Sequence, residues 1–362
     1  MSSSDGAALY IYEMMTRSIR ERNLALRIGA AIVDVTPGVV LRAYHGGALV
    51  CDLQVGATHR FYDLASLTKI VFAQHAMMQA FDQGRWALDT TVRDFLPNWT
   101  HADTRIVELL THTSGMEWWQ PFYETVDQRL GWQQRRSWLY GQLQVAPCKR
   151  SGHAVYSDLG FMLLGFVLEA LHDKSLLDIW LDLRARSYAQ GSLEFHIDNL
   201  PRHAVQDYAA TEQCPWRHER LQGEVHDDNT WALGGLSTHA GLFGSIDDLA
   251  AFGLQLRASM RGFEGATVRQ PTAALFTRRA IAPEVGDWAL GFMLPSSQGA
   301  SCGRYFSPQS VGHTGFTGTS LWYDPQRDLL VTILSNRVYG GRENKAFLAL
   351  RPQMHDWLVE SL

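Results

Sequence analysis

The sequence predicts a mixed α and β fold, with an antiparallel sheet built from both chain ends, flanking helices and a helical lobe. Strand-like segments occur early, at residues 28–35 and 39–44, and return late, at 313–323 and 329–335. The residues between them are mostly helical and loop-rich. Strands at both ends can share one sheet, with the intervening helices packed beside it and a cleft between the two parts.

The 362 residues are 46% hydrophobic and 19% charged, an ordinary globular composition. No linker, repeat or low-complexity segment divides them. We therefore expect a single catalytic domain over residues 1–362. Its sheet region covers about 1–62 and 284–362, and its helical lobe covers about 63–283.

The individual elements follow from spacing and turn residues. Apolar residues at helical spacing predict a first helix at about 7–22. A Thr-Pro-Gly turn at 36–38 is expected to join the first two strands. The segment 66–81 is apolar on nearly every face, which predicts a buried helix. A further strand at 288–294 and a closing helix at 340–362 complete the prediction.

Charge and hydropathy exclude several functional classes. The net charge of −5 argues against a nucleic-acid partner or an anionic membrane surface. No stretch approaches the roughly 18 apolar residues of a membrane span, and the first residues lack the pattern of a signal peptide. We expect a cytoplasmic protein, or a periplasmic or secreted one if a leader was removed, that is a monomer or a weak homo-oligomer.

Metal and cofactor motifs are missing from the sequence. The four cysteines lie far apart without a Cys-x-x-Cys pair, and neither His-Glu-x-x-His nor a phosphate-binding glycine loop occurs. We therefore expect no metal and no organic cofactor.

The first chemical signal is Ser66-x-x-Lys69 at the start of the buried helix. Residues three apart share one helix face, so the hydroxyl and the amine can meet. A serine becomes a good nucleophile when a neighbouring base takes its proton. A lysine that only reaches solvent from a core helix is the alternative interpretation.

Two later motifs could complete a catalytic site. Tyr156-Ser-Asp158 precedes an apolar helix; its tyrosine could act as a base, or the motif could simply cap that helix. His313-Thr314-Gly315 lies before a strong strand. This segment could bind an extended substrate, and the N–H of Phe316 could complete an oxyanion hole with that of Ser66. A glycine-rich bulge is the alternative interpretation.

Together, these motifs resemble the serine β-lactamase and penicillin-binding-protein family, in its class C β-lactamase, DD-peptidase and esterase branch. The segments 223–229 and 231–235 are similar to a subgroup that includes an N-acetylmuramyl-L-alanine amidase. The resemblance covers about residue 28 to the C-terminus. It implies a β-lactamase/transpeptidase-like fold and a catalytic set of Ser66, Lys69, Tyr156, His313 and Phe316. It also implies a small-molecule or cell-wall peptide substrate.

Two positions depart from the family pattern. Asp158 stands where the wider family has Asn, and its carboxylate should raise the pKa of Lys69 and shift the role of base toward Tyr156. His313 replaces the Lys of β-lactamases, and we expect its imidazolium to be a pH-dependent anchor for a substrate carboxylate. Further candidate substrate contacts are Asp158, Thr314, Gly315, Trp118, Trp119, His226, Asp228 and Asn229. For the loop 226–229 and the tryptophan pair, a turn and core packing are the respective alternatives.

The sequence thus predicts a serine hydrolase that forms an acyl-enzyme at Ser66 and cleaves an amide or peptide bond, of a peptidoglycan-derived muropeptide. One alternative is a carboxylesterase of the same fold. A second is a penicillin-binding or sensor protein that is acylated without turnover.

Overall fold

The computed structural model describes residues 18–362. Five strands form an antiparallel sheet in the order β2-β1-β8-β7-β6, and three short ones form a second sheet in the order β3-β5-β4. The strands are β1 (Gly38–His45), β2 (Ala48–Gly56), β3 (Tyr62–Asp63), β4 (Glu194–Phe195), β5 (Leu242–Gly244), β6 (Val311–Thr314), β7 (Ser320–Asp324) and β8 (Leu329–Ser335).

The large sheet joins the two ends of the chain, as the sequence predicts. Strand β1 pairs with β8 in a register that sets Leu41 opposite Ile333. All seven residues of β8 are buried, because the sheet is covered on both faces.

Helices account for most of the remaining structure. Residues 18–31 are helical and form the described part of α1. The others are α2 (His75–Asp82), α3 (Ile106–Leu110), α4 (Trp132–Val145), α5 (Asp158–His172), α6 (Leu176–Ser187), α7 (Asp228–Ala232), α8 (Ile246–Arg261), α9 (Gln270–Thr277) and α10 (Ala346–Ser361). A π-helical segment, Lys69–Gln74, leads directly into α2.

Helices α1 and α10 pack on one face of the large sheet through Leu24, Ile28 and Leu358, among others. Helix α8 covers the opposite face. The helical middle of the chain packs into the same hydrophobic core as α8. The boundary between these helices and the sheet lies beside the start of the π-helical segment.

Several predicted elements need correction. The strand at 28–35 is wrong, because Leu24, Ile28 and Ile32 are buried at a spacing of four and the chain is helical through residue 31. The N-terminal hairpin is therefore β1–β2, with positive φ at Gly46 and Gly47 in its turn. Of the predicted helix at 7–22, residues 7–17 lie outside the described part of the chain, and residues 18–22 are helical.

The C-terminal part differs in three further places. Residues 288–294 make a turn with an isolated bridge from Trp288 to Met293, and Gly291 has φ +87°. The segment 313–323 is a hairpin, β6–β7, whose turn interrupts the predicted strand. The last helix begins at residue 346 rather than 340. Within residues 18–362, no helix combines the length and apolar character that crossing a membrane requires.

Candidate active site

Ser66 lies in a tight turn that connects β3 to the π-helical segment. The preceding residue, Ala65, has φ +47°, in the left-handed region that non-glycine residues rarely adopt. Its N–H donates to Asp63 Oδ1 at 2.8 Å, which holds this conformation. The strain at Ala65 fixes the direction in which Ser66 leaves the sheet.

Lys69 is fully buried and has three polar contacts. Its Nζ lies 3.2 Å from Ser66 Oγ, 2.6 Å from Asp158 Oδ1 and 3.0 Å from the carbonyl oxygen of His239. Burial lowers the pKa of Lys69, but Asp158 and Tyr156 raise it by more, and the net pKa lies above its ordinary value. Lys69 is therefore an ammonium ion that donates to Ser66, as the predicted effect of Asp158 requires.

Tyr156 forms the wall next to this ammonium ion. Lys69 Nζ lies 4.8 Å from the centre of its ring. The rings of His112, Trp288 and His313 surround Tyr156 at centroid distances of 4.7, 5.9 and 5.9 Å. Its buried hydroxyl lies close to the side chains of Ser66 and Lys69, and among residues 18–362 it makes no hydrogen bond of standard geometry.

Burial raises the pKa of Tyr156, although the neighbouring Lys69 opposes the shift. Tyr156 is thus a neutral phenol in the resting site, with an oxygen free to exchange protons.

The capping interpretation of Tyr156-Ser-Asp158 is also correct, for the central residue. Ser157 Oγ accepts from the N–H of Gly160 at 3.0 Å and caps α5. The cap fixes the first turn of α5, so Tyr156 and Asp158 on either side of it both reach Lys69.

The turn after β6 packs directly on the nucleophile loop. Thr317 Oγ1 donates to the carbonyl oxygen of Asp63 at 2.7 Å, and Thr319 Oγ1 donates to that of Leu64 at 3.0 Å. A β-carbon at Gly315 would lie 2.6 Å from Leu64 O and 2.0 Å from Thr319 Oγ1. Glycine is required here because the two segments touch backbone to backbone.

This contact brings two free amide groups to the same region. Among residues 18–362, neither the Ser66 N–H nor the Phe316 N–H donates a backbone hydrogen bond. Backbone donors without internal acceptors beside a nucleophile suit an oxyanion hole. Met293 pairs with Gly312 on the outer edge of β6, so only Thr314 and the turn remain open to a substrate strand.

His313 differs from the sequence-based expectation. Its side chain is 1% exposed, and Nδ1 lies 2.8 Å from the carbonyl oxygen of Thr314. Burial and the nearby charge of Lys69 lower the pKa of His313 to about 3. The burial and contacts of His313 thus favour a neutral imidazole that donates from Nδ1 over the expected imidazolium anchor.

The residues of the loop 226–229 lie in two different environments. The N–H of His226 donates to Asp63 Oδ2 at 2.7 Å, and its ring stacks on that of Phe316 at 5.4 Å, so His226 borders the site. Asp228 is 6% exposed and is paired with Arg217 and Arg342.

Asn229 is completely buried and bonds to the backbone of Gln120 and Tyr123. Asp228 and Asn229 thus hold the cleft wall together, and a contact of either residue with substrate stays a prediction.

The tryptophan pair lies in the strand-free segment before residue 120 and is joined to α5 through its backbone. The carbonyl oxygen of Trp118 accepts from the N–H of Asp158 at 2.9 Å, and the side chain is 62% exposed. Trp119 stacks against it at 5.6 Å.

Sequence reasoning missed the residue that joins these segments. Asp63 is buried and accepts from the N–H groups of Ala65 and His226, while its carbonyl accepts from Thr317. The available signal was the same one that marked Lys69, a single charged residue within an apolar run.

A second missed pair is His239 with Asp227. Atoms of Asp158, Asp227 and His239 lie within 4.8 Å of one another, a spacing that could hold a metal ion. Each of them is already engaged, however: Asp158 by Lys69, and Asp227 by His239 at 3.0 Å and the N–H of Thr230 at 2.7 Å. We interpret the group as an ion-pair cluster that supports the ammonium ion.

Comparisons with known proteins agree with this geometry. A family model described as Beta-lactamase matches residues 27–352. A Bacillus subtilis (strain 168) protein named N-acetylmuramyl-L-alanine amidase is 30% identical, over 88% of this chain and 79% of that protein. A Salmonella gallinarum protein named as a candidate D-alanyl-D-alanine carboxypeptidase is 29% identical, over 89% of this chain and 81% of its own length.

Among solved structures, a penicillin-binding protein homologue from Caulobacter crescentus superposes with a TM-score of 0.70. The match covers 96% of this chain and 98% of that chain at 17% identity, so it supports the fold. The predicted fold class is confirmed.

Proposed function

The chain belongs to the beta-lactamase family and is a serine hydrolase, and on this basis we propose that Ser66 forms an acyl-enzyme with a peptidoglycan-derived muropeptide. The observation that carries the proposal is the contact of 3.2 Å between Ser66 Oγ and the buried ammonium of Lys69. The relative named N-acetylmuramyl-L-alanine amidase supports an amide next to an N-acetylmuramyl group as the bond that is cleaved.

The charges of the resting site determine how the proton moves. Lys69 is already protonated and cannot accept the proton of Ser66, so we assign that role to the phenolic oxygen of Tyr156. As Ser66 Oγ attacks the carbonyl carbon, Tyr156 gives its phenolic proton to the leaving nitrogen and takes the Ser66 proton in one coupled transfer, so it ends the step as a neutral phenol. Lys69 stabilises the partial negative charge that the phenolic oxygen carries during this transfer.

The remaining steps use the same groups in reverse. The N–H groups of Ser66 and Phe316 stabilise the oxyanion while the C–N bond breaks. Water then attacks the acyl-enzyme, Tyr156 accepts a proton from the water, and Ser66 Oγ regains a proton as the acid product leaves.

Tyr156→Phe should lower kcat by about two to four orders of magnitude, the usual range for loss of a general base. The change removes only an oxygen that makes no hydrogen bond of standard geometry among residues 18–362, so the melting temperature should stay within about 3 °C of wild type. Steady-state kinetics together with thermal unfolding would test this. Near-normal turnover would move the proton transfer to another residue.

Because His313 is neutral, we expect the preference between charged and neutral substrates not to depend on pH. Because its pKa is about 3, the imidazole stays uncharged at every higher pH. The ratio of kcat/KM for a carboxylate-bearing peptide to that for a neutral ester should not change between about pH 5 and pH 8. A ratio that falls as the pH rises through about 6.5 would instead indicate that His313 binds the carboxylate as an imidazolium.

The substrate assignment is tested with three compounds: an N-acetylmuramyl-peptide, a peptide ending in D-alanyl-D-alanine, and a short acyl ester. We expect release of the peptide from the first to have the highest kcat/KM, measured by chromatography of the products. Preference for the second would indicate a carboxypeptidase, and preference for the ester would indicate the carboxylesterase alternative. A burst of one equivalent without turnover would indicate a penicillin-binding or sensor protein.

A further inference from the structure

Trp118 presents an unusually exposed apolar surface next to the catalytic groups. Its indole is 62% exposed, while its backbone is fixed to Asp158 at 2.9 Å. Asp158 contacts Lys69, and Lys69 contacts Ser66, so three contacts connect the backbone of Trp118 to the nucleophile. Large apolar surface left in water at a fixed position suits a ligand that covers it.

A row of aromatic rings supports this surface from behind. Trp119 stacks on Trp118, Tyr123 lies 6.2 Å from Trp119, and Trp216 lies 4.7 Å from Tyr123. Trp231 extends the row at 5.3 Å from Trp216. The buried Asn229 fixes the segment, because its side chain bonds to the backbone of residues 120 and 123. A rigid platform loses little conformational entropy when a ligand binds.

The polar groups around the platform indicate what the ligand is. Glu117 precedes Trp118 in the sequence, and its carboxylate accepts from the side chain of Gln120. A carboxylate repels an anionic group and accepts hydrogen bonds from hydroxyl and amide groups. An apolar face next to a carboxylate therefore suits a neutral ring that has C–H groups on its face and hydroxyl groups at its edge.

We propose that Trp118, supported by Trp119, is a saccharide subsite that stacks the N-acetylhexosamine ring of the substrate beside the scissile amide. The proposal rests on the proposed function, because a muropeptide has its sugar next to that bond. It goes beyond that function by assigning recognition of the sugar to a particular residue.

The kinetic test compares Trp118→Ala with wild type on two substrates, an N-acetylmuramyl-peptide and the same peptide with an acetyl group in place of the sugar. We expect kcat/KM to fall about tenfold or more on the first and less than about twofold on the second. Trp118→Phe, which keeps a flat apolar face, should lose about threefold or less on the first.

Phe263→Ala is the matched control. Phe263 is 47% exposed and lies beside Arg257, which pairs with Asp328 at the end of β7 opposite to the turn that contacts the nucleophile loop. It should leave both substrates unaffected. Equal losses on both substrates for Trp118→Ala, or no loss on either, would overturn the subsite. So would an equal loss on long-chain acyl esters, which would indicate a general apolar site.

A binding measurement separates this proposal from the proposed function. The neutral disaccharide of N-acetylglucosamine is titrated into wild type and Trp118→Ala, with tryptophan fluorescence and saturation-transfer NMR as readouts. We expect binding that is lost in the variant. If the disaccharide binds through Trp118 but muropeptides are not cleaved, the subsite stands and the proposed function fails. If muropeptides are cleaved and the disaccharide does not bind, the subsite fails alone.

Discussion

Ser66→Ala should abolish turnover, with a loss of roughly 10⁴- to 10⁶-fold in kcat, and should abolish covalent labelling by a serine-directed fluorophosphonate. The hydroxyl is the group that attacks the carbonyl in the proposed mechanism, and no other residue can replace it in forming the acyl-enzyme. Intact-protein mass spectrometry gives the labelling result, and hydrolysis of the preferred substrate gives the kinetic one.

The fold should tolerate this change. Ser66 Oγ has a hydrogen bond to Lys69, and loss of such a bond changes stability by about 1 kcal/mol. We expect the melting temperature to stay within about 3 °C of wild type. A variant that is folded, active and still labelled would show that the nucleophile lies elsewhere.

Lys69→Met should remove both activity and stability, and a double variant should separate the two effects. Without the ammonium, the Asp158 carboxylate, whose side chain is only 17% exposed, loses its counter-ion. Removing one partner of a buried pair costs about 3 kcal/mol of unfolding free energy, and we expect turnover to fall at least about 10³-fold. Urea unfolding and steady-state kinetics measure the two quantities.

Asp158→Asn alone should also destabilise, because the buried Lys69 ammonium then has only neutral acceptors: the new amide oxygen, the carbonyl of His239 and the Ser66 hydroxyl. The double variant Lys69→Met with Asp158→Asn should recover at least about half of the lost stability, because no uncompensated charge remains. It should recover no activity. Additive losses in the double variant would mean that the ion pair is not the source of stability.

Much of the fold could be predicted from the sequence because its signals are local. The strand 329–335 is continuous in β-branched and apolar residues, and it is found with those bounds as β8. The helix that begins near Ser66 was visible because it is apolar on every face. The strand predicted at 28–35 is wrong because a short apolar run fits the period of a helix as well as that of a strand. The spacing of Leu24, Ile28 and Ile32 is helical.

The site could be predicted in part, for a related reason. Ser66 and Lys69 are three residues apart, so their contact follows from helix geometry. The protonation state of His313 depends on burial and on a neighbour distant in the chain, Lys69, which a spacing pattern does not contain. Asp63, Asp227 and His239 were missed because their partners come from several segments, and a polar loop in the sequence does not indicate which of its carboxylates is buried.

The contact between the turn after β6 and the loop before Ser66 also constrains when activity can arise during synthesis. The nucleophile loop leaves the ribosome about 250 residues before Gly315, Thr317 and Thr319 do. Until those residues are translated, β8 is also missing. Strand β1 then has β2 on one side and no strand on the other. A nascent chain therefore carries Ser66 and Lys69 without the second amide of the proposed oxyanion hole, and this site is assembled only after residues 315–319 have been translated.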